Sequence, residues 1–303
     1  MPRVRYIASI SDLDAHSQTD IRRGFDHLTQ TLGATDRPVV SGFCPVCGRW
    51  SYFSGAAPFR ESFVCQQCFS TSRYRRMALG VLQAIRERFG VDAASLEDLP
   101  ADHGQTFELL DTQTAFASPP YACYSLPDRL SSYSWINVHT SSYRPALPWG
   151  AEIGDHATNQ NLEALTFEEG RFDLVMTSDV LEHVRLYEDA HREIARVVKP
   201  GGAYIFTVPH SRGMAEHLVR IAVHDRDDAT ADEFVLPPEY HGSADPDEGP
   251  VLSYRVFGAS IDQELNDIGF DVTYGVDADP IHAIFETELF YCHRRDRTPA
   301  EPD

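Results

Sequence analysis

The sequence has no long uninterrupted run of apolar residues. Its longest runs, such as Tyr-Ile-Phe-Thr-Val at 204–208, are far shorter than the roughly 20 residues that cross a bilayer. The first 16 residues contain acidic side chains where a signal peptide would have an apolar core. We therefore expect a cytoplasmic protein with no membrane association.

Basic residues are scarce. The 303-residue chain has 26 Lys and Arg against 46 Asp and Glu, which gives a formal net charge of −20. A phosphate backbone would be repelled by such a chain unless a local basic face compensated, so nucleic acid is an unlikely main partner. With 42% hydrophobic residues, the length predicts a globular protein of roughly two domains.

Two catalytic signatures are also missing. The sequence has no phosphate-binding loop of the GxxxxGK type, and no Ser or Cys lies in a nucleophile motif. These absences argue against nucleotide hydrolysis by a P-loop and against covalent catalysis by a hydroxyl or thiol.

The sequence has six cysteines, and four of them form two C-x2-C pairs separated by 17 residues: Cys44, Cys47, Cys65 and Cys68. Such pairs, brought together by a hairpin, can offer four thiolates to a tetrahedral zinc ion. Disulfides are the alternative, and the expected reducing compartment disfavours them. Because four thiolates leave no open position, the predicted zinc is structural.

Arginines surround this predicted zinc ribbon. Residues 41–80 contain five arginines and one glutamate, which is too little positive charge for a surface that follows phosphates. Arg73, Arg75 and Arg76 open a predicted amphipathic helix that ends at Gly90. They either contact an anionic group of substrate or cofactor or form a solvated helix start.

Residues 171–209 have the pattern of a βαβ unit. A short apolar run ends in Thr177, Ser178 and Asp179, as a buried parallel strand would. Apolar residues at helical spacing follow, then the Pro-Gly-Gly of 200–202 is expected to stop the helix. Residues 204–208 form the next predicted strand.

This stretch resembles a known family. FDLVMTSDVLEHV, EIARVVKPGG and IFTVP are similar to the fourth strand, following helix and fifth strand of class I S-adenosylmethionine-dependent methyltransferases of the type 11-like group. With the four-cysteine ribbon, SRYRR, NLEALTF and EYHG, the chain resembles zinc-ribbon members of that family. The resemblance implies an α/β, Rossmann-like, doubly wound sheet of seven strands, with S-adenosylmethionine as cofactor.

The resemblance also suggests a division of the chain. The expected segments are a helical extension (1–40, with a helix near 19–28), the zinc ribbon (41–72), a connecting helix and linker (73–104), the methyltransferase domain (105–293) and a flexible tail (294–303). A polar, Pro-rich insertion at 210–257 is expected to act as a lid and to bind the acceptor.

Several positions are implied to bind cofactor. The first strand, expected at 106–110, ends at Asp111, which could meet the methionine ammonium. The turn after it contains no glycine, unlike the family's Gly-rich turn. A second strand is expected at 134–139, with hydroxyl residues after it near the ribose. Asn161 and Leu162 stand at the adenine positions, and Ser178 and Asp179 follow the fourth strand.

Two histidines are candidates for proton transfer. His183 lies four residues after Asp179, and His241 lies in the insertion within EYHG. An imidazole, with its usual pKa near 6.5, suits removal of a proton from an acceptor hydroxyl. His183 could instead pack the turn after the strand. His210 is a third candidate, whereas Glu182 is expected to orient the turn or to face the positive end of the cofactor.

The sequence thus predicts an S-adenosylmethionine-dependent methyltransferase that acts on a small-molecule or sugar hydroxyl and carries a structural zinc. The absence of glycine from the first turn leaves an alternative, a degenerate methyltransferase fold that binds partners without catalysis. A zinc-dependent nucleic-acid adaptor is a third reading. No residue pattern indicates the acceptor or the oligomeric state.

Overall fold

A computed structural model describes residues 6–7, 38–112, 126–154, 157–211, 213–242, 249–275 and 279–296. The helix predicted near 19–28, the part of the glycine-free turn after Thr112 and the tail from 297 onward lie outside the described residues. Within them, no helix is both long and apolar enough to cross a membrane.

The described strands, in chain order, are β1 (Tyr6–Ile7), β2 (Val39–Cys44), β3 (Arg49–Ser54), β4 (Val64–Cys65), β5 (Phe107–Asp111), β6 (Ile136–Ser142), β7 (Glu152–Gly154), β8 (Ala157–Asn159), β9 (Phe172–Ser178), β10 (Val198–Thr207), β11 (Leu218–Val219), β12 (Ile221–Ala222), β13 (Glu233–Phe234), β14 (Glu239–His241), β15 (Val251–Ser253), β16 (Arg255–Val256), β17 (Phe270–Gly275) and β18 (Leu289–Arg294). The α-helices are α1 (Phe59–Ser62), α2 (Ser72–Phe89), α3 (Leu126–Leu130), α4 (Tyr187–Val197) and α5 (Ser260–Asp267).

A central sheet organises the fold. Among the described residues it has nine strands in the order β1-β17-β18-β10-β9-β5-β6-β8-β7. The pairs from β10 to β8 run parallel, and β18 lies antiparallel beside β10. The doubly wound α/β class is confirmed. The sheet exceeds the seven predicted strands because the short strands β1 and β7 pair antiparallel with β17 and β8.

Helices cover both faces of this sheet. On one face α2 approaches so closely that a Cβ at Gly80 would lie 2.7 Å from the side chain of Leu289. On the other face Ile194 of α4 and Ile261 of α5 pack in a second apolar cluster with Phe206 of β10. Every residue of β9 is buried, as expected for a strand covered on both sides.

The predicted helix before the sheet is confirmed as α2. The Thr71 side chain accepts a hydrogen bond from Tyr74 N at its start, and Gly90 ends it with φ of 72°, a left-handed conformation that glycine adopts without strain. The helix thereby joins the ribbon to the sheet.

Three predicted boundaries were wrong. The second strand is β6, which extends to Ser142, so the expected ribose-side hydroxyls of Thr140 and Ser141 lie within the strand. The helix α4 ends at Val197, and the Pro-Gly-Gly lies inside β10, where the pairing with β9 shifts register. The alternation of residues 284–292 predicts the last strand there, but this strand is Leu289–Arg294, and Ile284 pairs with Asp279 in an isolated bridge.

The ribbon is the three-stranded sheet β2-β3-β4. It lies against the segment before β18, where Phe43 N donates to Ile281 O at 2.7 Å and the Phe63 and Phe285 rings are 5.6 Å apart. One apolar cluster runs from the ribbon through α2 to the central sheet. The ribbon therefore shares a core with the sheet.

The insertion at 210–257 forms small antiparallel pairs, β11-β16, β12-β13 and β14-β15. Tyr254 N donates to Glu182 O at 2.8 Å, and the buried Arg255 guanidinium donates to the carbonyls of Val184 and Arg185. These contacts hold the insertion against the turn that follows β9.

Candidate functional site

The carboxyl ends of β5 and β9 meet at one edge of the sheet. Asp111, the last residue of β5, pairs in register with Met176 of β9, and Ser178 ends β9 two residues later. Both Asp111 and Ser178 are buried. Two predicted cofactor residues are thus side by side at the edge where doubly wound proteins bind ligands.

Asp179 lies just beyond this edge with φ of 54°. The Arg60 guanidinium donates to both of its carboxylate oxygens, at 2.7 and 2.6 Å, and Thr207 Oγ1 donates at 3.0 Å. Burial opposes ionisation, but the hydrogen bonds and charge of Arg60 lower the pKa of Asp179 overall. This carboxylate is therefore ionised and already paired with a cation from the ribbon.

The arginines of α2 are not a solvated helix start, so that reading was wrong. Arg75 and Arg76 are buried. Arg73 bonds to Ser178 Oγ and lies 2.6 Å from a Glu61 carboxylate oxygen. Arg73, in the first turn of α2, thus reaches the carboxyl edge of the sheet.

The positions predicted for adenine lie after β8. Leu162 is buried. Asn161 is half-buried, and its side-chain oxygen accepts from Glu163 N at 3.1 Å. This local turn occupies one lone pair of the Asn161 side-chain oxygen, and the amide keeps a second lone pair and an NH₂ donor with which it could contact adenine.

His183 and His241 lie next to each other, with ring centroids 4.9 Å apart. His183 is in the 3₁₀ turn Leu181–His183 after β9, and His241 ends β14 of the insertion. Both face Glu182: His183 Nε2 is 3.7 Å and His241 Nδ1 is 3.9 Å from Glu182 Oε1. The two predicted candidates therefore belong to one cluster.

Hydrogen bonds fix the orientation of both rings. His183 Nδ1 is 2.9 Å from Leu252 O, and a carbonyl can only accept, so Nδ1 carries the proton. His241 Nε2 is 3.1 Å from the Glu239 carboxylate, so it likewise donates. In the neutral rings, the nitrogen that faces Glu182 therefore bears a lone pair.

Glu182 is fully buried. Burial and the nearby negative Asp179 raise the pKa of its carboxyl to about 8, and burial lowers the pKa of His183. Both shifts disfavour the charged form, which is typical of groups in functional clusters.

His210, the third candidate, pairs with a different carboxylate, because its Nδ1 is 2.8 Å from Glu288 Oε2. Sequence reasoning missed Arg60, which no motif marks. It assigned Glu182 only to the turn or the cofactor and did not predict its contact with both histidines. It also did not single out Glu239, although this residue begins the EYHG string.

The four ribbon cysteines are buried and converge. Their sulfurs all lie within 4.8 Å of one another, with Cys44 and Cys68 3.6 Å apart and Cys47 and Cys65 4.0 Å apart. A tetrahedron with Zn–S bonds of about 2.3 Å has edges of about 3.8 Å. The cluster therefore has the dimensions of a closed tetrahedral metal site.

Comparison with known proteins supports the α/β assignment. The model of a methyltransferase domain family matches residues 145–206. A polyketide synthase–nonribosomal peptide synthetase of Phaeosphaeria nodorum is 33% identical over 86 residues, which are 26% of this chain. The match spans 2% of that relative's length.

Solved structures of methyltransferases are also similar. An S-adenosylmethionine-dependent methyltransferase from Mesorhizobium loti is 17% identical, with 65% of this chain and 94% of that chain covered and a TM-score of 0.38. A 1,6-didemethyltoxoflavin-N1-methyltransferase from Burkholderia thailandensis is 14% identical, with coverage of 80% and 96% and a TM-score of 0.35.

The matched segment includes β7, β8, β9, α4 and most of β10, and the turn that bears Glu182 and His183 lies within it. The part of the chain that matches the methyltransferase domain model therefore holds two residues of the histidine cluster.

Proposed function

We propose that this protein is an S-adenosylmethionine-dependent methyltransferase that acts on a small-molecule or sugar hydroxyl. The observation that carries the proposal is the placement of Asp111, Ser178 and the Glu182–His183–His241 cluster along one edge of the sheet, on and beside the segment of the methyltransferase family. The proposed cofactor-binding residues thus lie near the proposed proton acceptors, as methyl transfer to a hydroxyl requires.

The residues at this edge fit the cofactor chemically. The buried Asp111 carboxylate suits the methionine ammonium, and Leu162 with the amide of Asn161 suits adenine. Ser178, which bonds to Arg73, would contact the methionine part of the cofactor through its hydroxyl. Asp179 holds Arg60 and Arg73 there rather than meeting the cofactor directly. When bound, S-adenosylmethionine supplies an electrophilic methyl group.

The chain's own contribution to chemistry is to position the acceptor and to remove its proton. The nitrogens of His183 and His241 that face Glu182 bear lone pairs, because the other ring nitrogens donate to Leu252 O and to the Glu239 carboxylate. They are the proposed proton acceptors. The insertion that carries His241 would also contact the acceptor.

The four-cysteine cluster is proposed to bind one structural zinc. Its sulfurs form a closed set with no position for substrate, so the metal would stabilise the ribbon rather than react. The division into a ribbon (41–72), a connecting segment (73–104) and a methyltransferase domain (105–293) is part of this proposal.

Calorimetric titration with S-adenosylmethionine and S-adenosylhomocysteine tests cofactor binding. We expect micromolar binding of both. Asp111→Asn should weaken it about tenfold or more, because a hydrogen bond to a charged group is worth roughly 1.5–3 kcal/mol. Asp271→Asn, whose side chain is 62% exposed, is the matched control. No binding at millimolar concentrations would support the non-catalytic alternative.

Replacement of either histidine tests its role in proton transfer. His183→Gln and His241→Gln should each lower turnover at least tenfold while cofactor affinity stays within about twofold, because the rings handle the acceptor's proton and do not hold the cofactor. Turnover is measured with methyl-labelled cofactor on acceptors found by screening hydroxyl compounds. Unchanged turnover in both variants would exclude the role.

A further inference from the structure

The Glu182–His183–His241 cluster is organised like a set of metal ligands. One ligand atom from each residue lies within 4.8 Å of the other two. The residues come from two elements, the turn after β9 and strand β14 of the insertion, which are almost 60 positions apart in the sequence. The convergence is therefore a product of the fold and not of local spacing.

The Glu182 carboxylate has no hydrogen-bond partner on either oxygen within the described residues, and the side chain is 0% exposed. A buried, unpaired carboxylate is costly, by several kcal/mol even after relaxation. Arg60 and Arg73, the cations of the site, bond to Asp179 instead. A positive group placed beside the buried oxygens of Glu182 would therefore be stabilised.

The two imidazoles present hydrogen-bond acceptors, not donors, to Glu182. His183 is held by the Leu252 carbonyl and His241 by the Glu239 carboxylate, which leaves a lone pair on each nitrogen that faces Glu182. With Glu182 ionised, as a bound cation would keep it, three electron-rich atoms converge without a donor between them. Backbone carbonyls and carboxylates that bind the outer nitrogen are the usual support of metal-bound histidines.

The distances suit a shared ion. Separations of 3.7 and 3.9 Å between Glu182 Oε1 and the two nitrogens lie within twice a metal–ligand bond of about 2.0–2.2 Å. Two imidazoles and one carboxylate favour zinc, iron(II), cobalt(II) or manganese(II) over calcium or magnesium, which prefer oxygen alone.

We propose that Glu182, His183 and His241 bind a divalent transition-metal cation, in a second metal site separate from the ribbon cysteines. Three protein ligands leave at least one coordination position open. If the proposed methyltransferase function holds, on which this last step rests, that position receives the acceptor oxygen and the cation lowers its pKa. In the metal-bound protein the lone pairs of His183 and His241 are donated to the cation, so the ligand role replaces the proton-accepting role proposed above, and the cation-bound acceptor oxygen loses its proton to solvent.

Cobalt titration of the zinc-loaded protein, without cofactor or acceptor, tests the site. Before the titration, dialysis against a weak chelator removes loosely held metal, and elemental analysis confirms that the ribbon zinc remains. We expect one equivalent of Co²⁺ to bind with weak visible bands and no thiolate charge-transfer band, because the ligands are nitrogen and oxygen.

Two substitutions locate the binding. Glu182→Gln keeps the side-chain shape, and His241→Asn alters a partly exposed strand residue, so both variants should fold. Each is expected to weaken Co²⁺ binding at least tenfold. His224→Asn is the matched control, since His224 lies in the same insertion with its side chain 56% exposed beside Glu233, and its affinity should match wild type.

Absence of a Co²⁺ equivalent in the wild-type protein, or equal affinity in wild type and both cluster variants, would overturn the metal site. Either result would leave a proton shared between Glu182 and the histidines as the explanation of the cluster. Because the titration contains no cofactor, it is independent of the proposed activity, which the S-adenosylmethionine titration tests separately.

Discussion

Cys44→Ser is expected to release the ribbon metal and to unfold the β2-β3-β4 sheet. The four sulfurs form the centre of this small module, and binding of structural zinc contributes roughly 10–16 kcal/mol in zinc-finger peptides. A serine hydroxyl is a far weaker ligand than a thiolate.

The damage should extend to the central sheet, because the ribbon and the sheet share one apolar cluster. Phe59 N donates to the Glu286 carboxylate at 2.6 Å, and Phe63 packs on Phe285. We expect the midpoint of thermal unfolding to fall by at least about 10 °C, which corresponds to a loss of several kcal/mol in a domain of this size.

Elemental analysis and circular dichroism measure the two effects together. Cys292→Ala is the control, since Cys292 is a buried thiol of β18 far from the ribbon pairs in sequence, and it should keep the zinc and lose only about 1 kcal/mol of stability. A Cys44→Ser protein with a full zinc equivalent and an unchanged midpoint would contradict the assignment of the ribbon cysteines as ligands.

Arg75→Met should destabilise the protein by roughly 3–5 kcal/mol, because each buried carbonyl left without a donor costs roughly 1–3 kcal/mol. The side chain is 0% exposed. Its guanidinium donates to the carbonyls of His282, Phe63 and Ala283 at 2.8, 3.0 and 2.6 Å and also to Ser70 O. Methionine fills similar volume but leaves these carbonyls without donors.

The charge of Arg75 contributes as well. Burial lowers its pKa to about 10, while the negative thiolates of Cys44, Cys65 and Cys68 oppose that shift, so the guanidinium stays protonated at neutral pH. A zinc ion bound by the four thiolates would carry a net negative charge, and Arg75 would offset part of it. The residue therefore ties the ribbon to the sheet both by hydrogen bonds and by charge.

Urea denaturation compares the free energy of unfolding of Arg75→Met with that of Arg86→Met. Arg86 lies in the last turn of the same helix, and within the described residues its side chain bonds only to Gln83, so its loss should cost under about 1 kcal/mol. Arg75→Lys should not restore stability, because one ammonium cannot reproduce the planar fork. Equal stability of the Arg75→Met and Arg86→Met proteins would contradict the proposal that Arg75 ties the ribbon to the sheet.

Much of the architecture was predictable from local patterns. The run from Phe172 to Met176 has no helical period, and it forms the fully buried strand β9. The apolar spacing after Thr71 and the glycine at position 90 marked α2 and both of its ends. Boundaries failed where pairing decided them, as at β6, whose last residues Thr140 to Ser142 are ordered by β8.

The site was predictable only in part. His183 and His241 were both recognised as proton-transfer candidates, but as rivals, since no local pattern shows that two residues so far apart in the chain will meet. Their meeting depends on the insertion, which Arg255 fastens to the carbonyls beside Glu182. Arg60 could not be found at all, because its partner Asp179 is more than 100 residues away.

The sequence by itself determined the α/β class, the four-thiolate ribbon and the segment related to methyltransferases, because each depends on residue types at short, fixed spacings. Only the tertiary structure decided which charges meet: Arg60 with Asp179, Arg75 with the carbonyls before β18, and two histidines with one buried glutamate. Such contacts follow from the packing of ribbon and insertion on the sheet, and burial then turns ordinary side chains into strongly interacting groups.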